Sequence, residues 1–200
     1  MEEITLIPMS RELCHEFYRG FVNDPDIFMD MGRFYEFKYD PQWVDSYFDR
    51  QMNRGRLLFA VMLAGEPIGE VKLWDIDREN RECKLGIHLQ SDAVKGRGFG
   101  TRAERLAVEY AFDELGLDRV WADAILKNTR SQHVLEKAGF RFHRQEGNFR
   151  WYCCDKRTYE RKRNLLFRGR YGRMVKNKQT GSDCHAPHEI LLQVPVQSLP

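Results

Sequence analysis

The spacing of apolar and polar positions changes along the chain, and it predicts which segments are helices and which are strands. Residues 4–7 form a short apolar run. Ser10 can cap a helix that continues to about residue 21 with its apolar side chains at helical spacing. A second helix is predicted from Asp40-Pro41, because proline fits the first position of a helix. Between these helices, residues 27–39 are rich in Met, Phe and Tyr without a clean period, which is typical of a segment that wraps over a domain.

The centre of the chain predicts an antiparallel meander followed by alternating helix and strand. Apolar runs at residues 57–64 and 68–76 flank a Gly-Glu-Pro turn, and a third run extends from about residue 82 to 90. Glycines then alternate over residues 95–100, just before a helical pattern over residues 101–115. The remaining predicted elements are a strand over 120–125, a helix over 131–137 and a hairpin with strands over 140–144 and 149–156.

Length and composition restrict the class of protein. A chain of 200 residues suits one domain with an appendage, and 42% hydrophobic with 31% charged residues is typical of a globular protein. The longest apolar run, residues 57–64, is far shorter than the roughly 18 residues that cross a bilayer. The N-terminus also lacks a basic and apolar leader. We therefore expect a cytoplasmic protein without a membrane segment, in which the five cysteines are free thiols.

Basic residues are concentrated near the C-terminus. Residues 156–178 hold ten Lys or Arg against one Glu, which leaves residues 1–155 with a net charge of −5. We therefore divide the chain into a domain over residues 1–157 and a basic extension over residues 158–200. Such an extension can bind RNA, but charge runs are more often solvated, so we expect no nucleic-acid partner. A Cys-His-x-x-His motif from residue 184 lacks the Cys pair of a common zinc site, so no metal is expected.

The alternating glycines lie where a predicted strand passes into a helix. The unpaired amides at the start of that helix would point into the loop, where Gly96, Gly98 and Gly100 let the backbone approach an anion closely. Lys95 and Arg97 add positive charge. The loop has neither the ending of a Walker A motif nor the G-x-G-x-x-G spacing of a dinucleotide-binding fold. Taken alone, it is either a phosphate-binding loop or a glycine-rich surface turn.

A second motif follows the glycine loop, and together the two motifs favour a phosphate-binding loop over a surface turn. The two motifs are Lys95-x-x-Gly98-x-Gly100 and Asn128-x-x-Ser131-x-x-Val134-Leu135-Glu136-Lys137-Ala138-Gly139-Phe140. With them the chain, over roughly residues 4–157, resembles the GNAT acyltransferase superfamily, and within it the RimJ/RimL-like protein N-acetyltransferases. The resemblance implies a mixed α/β fold with a splayed, mostly antiparallel sheet flanked by helices. It also implies acetyl-CoA as the cosubstrate, bound where the strands that end near residues 90 and 125 separate.

The resemblance further implies which residues contact the cofactor. The backbone of His88, Leu89 and Gln90 would bind the pantetheine arm like an added strand. Asn128 matches a position that contacts the pantetheine, and Ser131 would lie near the thioester. Without the resemblance these two residues would be read as a helix cap and a solvated helix residue. The pyrophosphate would be bound by the loop residues Lys95, Gly96, Arg97, Gly98, Phe99, Gly100 and Thr101.

The chain departs from the family's common pattern at both acid–base positions. Leu135 stands where the family usually has a tyrosine acid, and Lys84 stands where it usually has a carboxylate. Glu82 shares one face of the predicted strand with Lys84, so Glu82 is our first candidate for the general base and His88 is the second. Ser131 or a water molecule is left as the candidate acid.

The acceptor is an amine whose class the sequence leaves open. Deprotonating a lysine-type amine at pH 7 costs roughly 4.6 kcal/mol, whereas an α-amine costs only about 1 kcal/mol. A site without the usual acid and base therefore suits the α-amine of a protein or peptide, attacking directly in a ternary complex. A small-molecule amine such as a polyamine, amino sugar or antibiotic is an alternative, as is a non-catalytic CoA-binding or RNA-binding module. Residues 27–39 either line an acceptor groove or pack over the sheet, and a homodimer is left open.

Overall fold

The computed structural model describes residues 2–163, which fold around one sheet of seven strands. The strands are β1 (Ile4–Pro8), β2 (Leu57–Leu63), β3 (Glu66–Asp77), β4 (Glu82–Leu89), β5 (Arg119–Ile125), β6 (Arg141–Glu146) and β7 (Phe149–Asp155). The helices are α1 (Arg11–Arg19), α2 (Pro41–Asn53), α3 (Phe99–Asp113) and α4 (Thr129–Ala138), and residues 156–163 are also helical. Short 3-10 turns cover Pro25–Ile27, Met31–Arg33 and Asp92–Val94.

The strand order in the sheet is β1-β2-β3-β4-β5-β7-β6. Neighbouring strands run antiparallel, except for β4 and β5, which are parallel. This last pair is bonded only where residues 82–84 face residues 119–121. Beyond that point β4 stays with β3 and β5 stays with β7. The predicted fold class is therefore confirmed: the sheet is mixed, mostly antiparallel and open between two central strands.

Local sequence signals explain where the helices begin and end. The Ser10 hydroxyl accepts a hydrogen bond from the Leu13 amide at 3.2 Å and so caps α1, as predicted. Asp40 caps α2, whose first residue is Pro41. Gly139 ends α4 with a φ of 117°, a conformation that a residue with a Cβ rarely adopts. Helix α3 begins two residues earlier than predicted, because Gly98 in the left-handed region already serves as its N-cap.

Helices cover the two faces of the sheet with separate apolar layers. On one face, which we call the α3 face, α3 and α4 pack over a core that includes Leu85, Ala103 and Ala122. On the other, the α1 face, α1 and α2 pack over a smaller core that includes Phe17 and Val44. Because side chains alternate along each strand, a residue on β4 or β5 belongs to one face or to the other.

The Met- and aromatic-rich segment between α1 and α2 divides into a part that packs over the sheet and a part that is exposed. Phe37 and Tyr39 pack against the core of the α1 face. Met29, Met31 and Tyr35 are each more than half exposed. One part of the segment therefore covers the sheet, and another part presents apolar side chains to solvent.

Several sequence predictions fall outside the described residues. These are the basic extension beyond residue 163 and the Cys-His-x-x-His motif from residue 184. The compact unit that contains the sheet extends to Lys162, and the division at residue 157 stays a prediction. Within residues 2–163, no helix is long and apolar enough to cross a membrane.

Candidate active site

A cleft of about 470 Å³ opens where β4 and β5 separate. Its walls include residues 85–89 of β4 and residues 122–125 of β5. Because these two segments do not pair with each other, the backbone of each strand presents an unpaired edge to the cleft. The cleft thus has the shape and the hydrogen-bonding groups to accept a narrow extended ligand between two strands.

The cleft reaches both faces of the sheet. Leu85, Ala122 and Ala124 line it on the α3 face, together with Glu104 from α3. Lys72 and Asp123 line it on the α1 face, where the alternation of strand residues places them. A group held between the strands can therefore be contacted from opposite sides by different side chains.

The glycine loop lies at one end of this cleft, as predicted. Gly98 has a φ of 80° and caps α3 without any side-chain hydrogen bond, so no side chain covers the first amides of the helix. A Cβ built on Gly96 or Gly98 would meet no atom within 4 Å, which leaves open space next to the loop backbone. The loop therefore offers backbone N–H groups to an anion.

The basic side chains of the loop are engaged with carboxylates. Lys95 Nζ lies 2.6 Å from Asp24 Oδ2 and 2.9 Å from Asp92 Oδ1. Arg97 forms an ion pair with Glu2. An incoming phosphate would therefore rely first on the loop amides and would have to compete for Lys95 with Asp24.

Six of the predicted cofactor residues line the cleft and six do not. The lining residues are His88, Leu89, Lys95, Gly100, Asn128 and Ser131. Gly96, Arg97, Gly98, Phe99 and Thr101 belong to the adjacent loop and the start of α3. Gln90 is already engaged, since its amide bonds to the Ile68 carbonyl at 2.9 Å and its carbonyl accepts from the Val22 amide at 2.8 Å. The structure therefore does not place Gln90 among the groups available to a ligand.

Asn128 has the capping role that the sequence offered as an alternative, and it also faces the cleft. Its Oδ1 accepts a hydrogen bond from the Ser131 amide at 2.9 Å. This bond fixes the first turn of α4 and so positions Ser131 in the cleft wall. One residue thereby supports the helix and lines the site.

Glu82, the first candidate base, lies away from the cleft. It stands at the end of β4 that is still paired with β5, and its Oε2 is 3.0 Å from Trp121 Nε1 and 3.1 Å from Arg119 Nη2. Its side chain shares a strand face with His88, as predicted, but six residues separate them, or about 20 Å along a strand. The structure does not bring Glu82 together with the other predicted catalytic residues.

His88, the second candidate base, lines the cleft on the α1 face. Phe21 packs near it, and Glu70 on β3 lies opposite it in the sheet register. Burial, together with the nearby Lys72 and Lys95 ammonium groups, lowers the pKa of His88 to about 4. His88 is therefore neutral at pH 7 and holds a proton poorly.

Asp123 is a carboxylate that our sequence reasoning missed. It lies on β5, is partly buried and lines the cleft on the α1 face. Burial raises the pKa of Asp123, and this effect is opposed by the Lys84 ammonium group. A single polar residue within an otherwise apolar predicted strand was the available signal, but its face could be known only once the strand pairing was known.

Glu104 is the second missed carboxyl group. It lies on α3 with only 1% of its surface exposed, and it lines the cleft on the α3 face. Its Oε2 has no hydrogen-bond partner. Burial raises the pKa of Glu104 to about 8. Its neighbours one turn further along the helix, Ala107 and Val108, are apolar, so a carboxyl group on an apolar helix face was the available signal.

No group of three or more His, Cys, Asp or Glu side chains within residues 2–163 is arranged to hold a metal ion. The cleft lining itself presents the carboxyl groups of Asp24, Glu104 and Asp123, the His88 imidazole and the Ser131 hydroxyl.

Comparison with known proteins agrees with this geometry. Residues 3–141 match the family model of the acetyltransferase (GNAT) domain. The Bacillus subtilis protein named "Putative ribosomal N-acetyltransferase YdaF" is 33% identical over 100 residues, which cover 50% of this chain and 52% of that protein. Spermidine N(1)-acetyltransferase of Escherichia coli K12 is 33% identical over 82 residues, or 41% of this chain and 44% of that enzyme. These matches span about half the length of the curated relatives.

Solved structures show the same fold. The crystal structure of aminoglycoside acetyltransferase AAC(6')-Ib in complex with coenzyme A and kanamycin superposes with a TM-score of 0.64, covering 80% of this chain and 99% of that one at 19% identity. The family model covers more than half of the chain and includes both the glycine loop and α4. The chain therefore belongs to the GNAT acetyltransferase family.

Proposed function

We propose that the protein is an acetyl-CoA-dependent N-acetyltransferase in which a primary amine attacks the thioester directly within a ternary complex. The observation that carries this proposal is the cleft between β4 and β5, which ends at a glycine loop and opens to both faces of the sheet. Bound acetyl-CoA would supply an activated acetyl group to this cleft. The alternative of a non-catalytic module is less favoured, because the cleft also holds carboxyl groups of raised pKa.

The residues of the cleft fit such a cofactor. Amides at the start of α3 have no capping side chain and can bind the pyrophosphate, and the unpaired edge of β4 at His88 and Leu89 can bind the pantetheine amides. Asn128 and Ser131 form the facing wall. An amide on the β4 edge can also donate to the thioester oxygen as negative charge develops there.

We assign the general base to Asp123. An α-ammonium group has a pKa near 7.8, so passing its proton to an imidazole whose pKa is about 4 would cost roughly 5 kcal/mol. Asp123 is a carboxylate in the β5 wall of the cleft, and burial raises its pKa, which strengthens it as a proton acceptor. Asp123 also lies on the α1 face, against which the segment of residues 27–39 packs through Phe37 and Tyr39. Glu82 has no role in the proposed mechanism, because it lies at the paired end of β4, away from the cleft.

Charge in the cleft favours an acceptor that is not a polycation. The lining carries four cationic side chains, from Arg56, Lys72, Lys95 and Arg130. It carries three acidic ones, from Asp24, Glu104 and Asp123. Lys95 and Arg130 are paired with Asp24 and Asp92, so a polyamine or aminoglycoside would bring several positive charges next to Arg56 and Lys72, which costs free energy. An α-amine with a single charge avoids that cost.

Apolar side chains at the cleft mouth favour a peptide. Val22 and Ile27 line the cleft and are exposed, and Met29 and Met31 continue the exposed apolar surface. Methionine side chains adapt to different partners. We therefore propose the α-amine of a protein or peptide as the acceptor, and the small-molecule amines as the second class. A cytoplasmic location, a homodimer and the absence of a nucleic-acid partner remain predictions from the sequence.

The proposal is tested by measuring thiol release from acetyl-CoA with a matched panel of acceptors. The panel would contain short peptides with a free N-terminus, the same peptides with a blocked N-terminus and a free lysine, spermidine, and kanamycin. We expect release with the free N-terminus, and mass spectrometry should locate the acetyl group on the α-nitrogen. Preference for spermidine or kanamycin would move the protein to the second class. Acetyl-CoA binding without release for any amine would contradict the enzymatic proposal.

A further inference from the structure

Glu104 is a buried carboxyl group for which the fold supplies no partner. It lies on α3, one turn after Gly100, with 1% of its surface exposed and with Oε2 unpaired. Burying a polar group without a hydrogen bond destabilises a fold. An apolar residue at this position would avoid that cost, so the position of Glu104 needs a functional explanation.

The surroundings of Glu104 keep its proton on the carboxyl group. The strand β4 and the helix α4, which pack against α3, contribute apolar side chains to the same core and cleft wall, among them Leu85 and Leu135. Burial is the sole cause that raises the pKa of Glu104 to about 8, so no neighbouring charge stabilises its anion. It lies beyond the first turn of α3, where the helix dipole has little effect. The other ionisable groups of the cleft are Asp24, Arg56, Lys72, His88, Lys95, Asp123 and Arg130.

We propose that Glu104 is the acid that protonates the departing CoA thiolate, a role that rests on the proposed acetyl-transfer function. Glu104 lines the same cleft as His88 and Ser131 but from the α3 face, whereas Asp123 lines it from the α1 face. The two carboxyl groups therefore stand on opposite sides of any thioester held between β4 and β5. The position where the family usually has its acid is occupied by Leu135, which has no proton to give.

The proton balance uses both carboxyl groups. The amine nitrogen forms its bond to the acetyl carbon, and Asp123 takes the proton that the nitrogen loses. As the carbon–sulfur bond breaks, its electron pair goes to sulfur, and Glu104 gives that sulfur its proton. The products are the N-acetylated amine and CoA as the free thiol. Asp123 then releases its proton to solvent and Glu104 regains one, which restores the starting state.

Among residues 2–163, Glu70 is the other fully buried carboxyl group, and it does not fit this role. It lies on the α1 face, where the Tyr47 hydroxyl donates to Oε1 at 2.6 Å. It is not part of the cleft lining. Ser131 does line the cleft, but a hydroxyl is a far weaker acid than a carboxylic acid. The Ser131→Ala variant therefore tests whether Ser131, rather than Glu104, protonates the thiolate.

The first test reads the proton directly and does not depend on turnover. Infrared difference spectra of the whole protein should show a protonated carboxyl band at pH 7 that Glu104→Gln removes and that is lost as the pH rises through about 8. Glu114→Gln, an exposed change at the end of the same helix, should leave the band intact. Adding CoA should shift the band to lower frequency, because the carboxyl then donates to sulfur. A band that CoA does not move would overturn the proposal.

The second test changes the leaving group. With acetyl-CoA, Glu104→Gln should lower kcat by about 100-fold or more at an unchanged KM for acetyl-CoA. The seleno analogue has selenium in place of the thioester sulfur and releases a more acidic group, so it should restore most of the lost rate. Ser131→Ala should need no such rescue. Melting curves of both variants would verify that they are folded.

The outcomes separate the two proposals. If the wild type acetylates amines and Glu104→Gln keeps its full rate, the acid role of Glu104 is wrong and the proposed function stands. An equal loss of rate with both donors would also contradict the acid role, since it would indicate a structural effect. If the wild type acetylates no amine, the proposed function fails and the acid role fails with it, while the infrared test still decides whether Glu104 contacts the sulfur of CoA.

Discussion

On the α3 face of the cleft, Glu104 sits among Leu85, Ala122 and Ala124, and nothing there balances a negative charge. On the α1 face, burial also raises the pKa of Asp123, but the Lys84 ammonium group opposes this effect and favours the ionised form. The carboxyl group on one side has no charged neighbour, whereas the one on the other side has a cationic neighbour, and this difference underlies our assignment of a proton donor and a proton acceptor. A single gap in a sheet can therefore hold two carboxyl groups in different electrostatic surroundings.

The largest effect is expected on the α1 face. Asp123→Asn should lower kcat by about 10³-fold, because the amide cannot accept the proton of the amine, and should leave the affinity for acetyl-CoA unchanged. In the wild type, activity should fall as the pH drops through the raised pKa of Asp123, since protonation removes the base. Stopped assays of thiol release across pH would measure the loss of kcat in the variant and the pH dependence of the wild type.

Asp118→Asn is the matched control for this change. Asp118 lies just before β5, pairs with Arg81 and is outside the cleft. Its replacement should alter kcat by less than about twofold. A comparable loss in both variants would mean that the α1 face carries no base at residue 123.

The second prediction concerns stability on the α3 face. At pH 7 the unfolded chain ionises Glu104, with an ordinary pKa of 4.5, whereas the folded protein keeps it protonated because its pKa is about 8. Stability from this group is therefore complete below pH 4.5 and falls as the pH rises towards 8. The Glu104→Leu variant has no carboxyl group at this position and so does not lose stability in this way. Its free energy of unfolding should therefore exceed that of the wild type by about 3 kcal/mol more at pH 7 than at pH 4.

Urea unfolding at the two pH values would measure this difference. Glu114→Leu on the exposed end of α3 should show no such dependence. A gain for Glu104→Leu that is the same at pH 4 and pH 7 would show that Glu104 is ionised in the folded protein, and the contrast between the two faces would then be lost.

A smaller effect is expected where the cleft meets the glycine loop. Asp24→Asn removes the carboxylate that pairs with Lys95 but keeps an oxygen that can cap the Asp26 amide. Lys95 then keeps only the exposed Asp92 as an acidic partner, so it should attract the cofactor phosphates more strongly, and acetyl-CoA should bind about fivefold more tightly, or about 1 kcal/mol. Titration calorimetry would measure the change, with Asp26→Asn as the control. Weaker binding in the Asp24 variant would mean that this carboxylate orders the loop rather than competing with phosphate.

The smallest effect is expected at Glu82. Its carboxylate bonds to Trp121 and Arg119 at the paired end of β4, so Glu82→Gln should change kcat by less than about twofold. The loss of a partly exposed ion pair should lower the free energy of unfolding by at most about 1 kcal/mol. A large loss of kcat at unchanged stability would restore Glu82 as the base and contradict the assignment to Asp123.

Features set by neighbouring residues were predictable from the sequence, and features set by distant pairing were not. Gly98 and Gly139 mark the ends of helices because their backbone conformations are local, and the glycine loop was recognised for the same reason. Lys95 meets Asp24 across 71 positions of the chain, so its ion pair could not be anticipated. Asp123 and Glu104 face the cleft only because β4 and β5 separate, a property of strand pairing rather than of either segment.

Filling the cleft from α4 tests whether acetyl-CoA binds between β4 and β5. Ser131 lines it, whereas His133, two residues on, is exposed. Calorimetric titration of acetyl-CoA should show that Ser131→Trp loses affinity by about 100-fold or more, because the indole occupies the space of the pantetheine arm. The His133→Trp variant should bind like the wild type. Undiminished affinity in a folded Ser131→Trp variant would place the cofactor elsewhere and contradict the account.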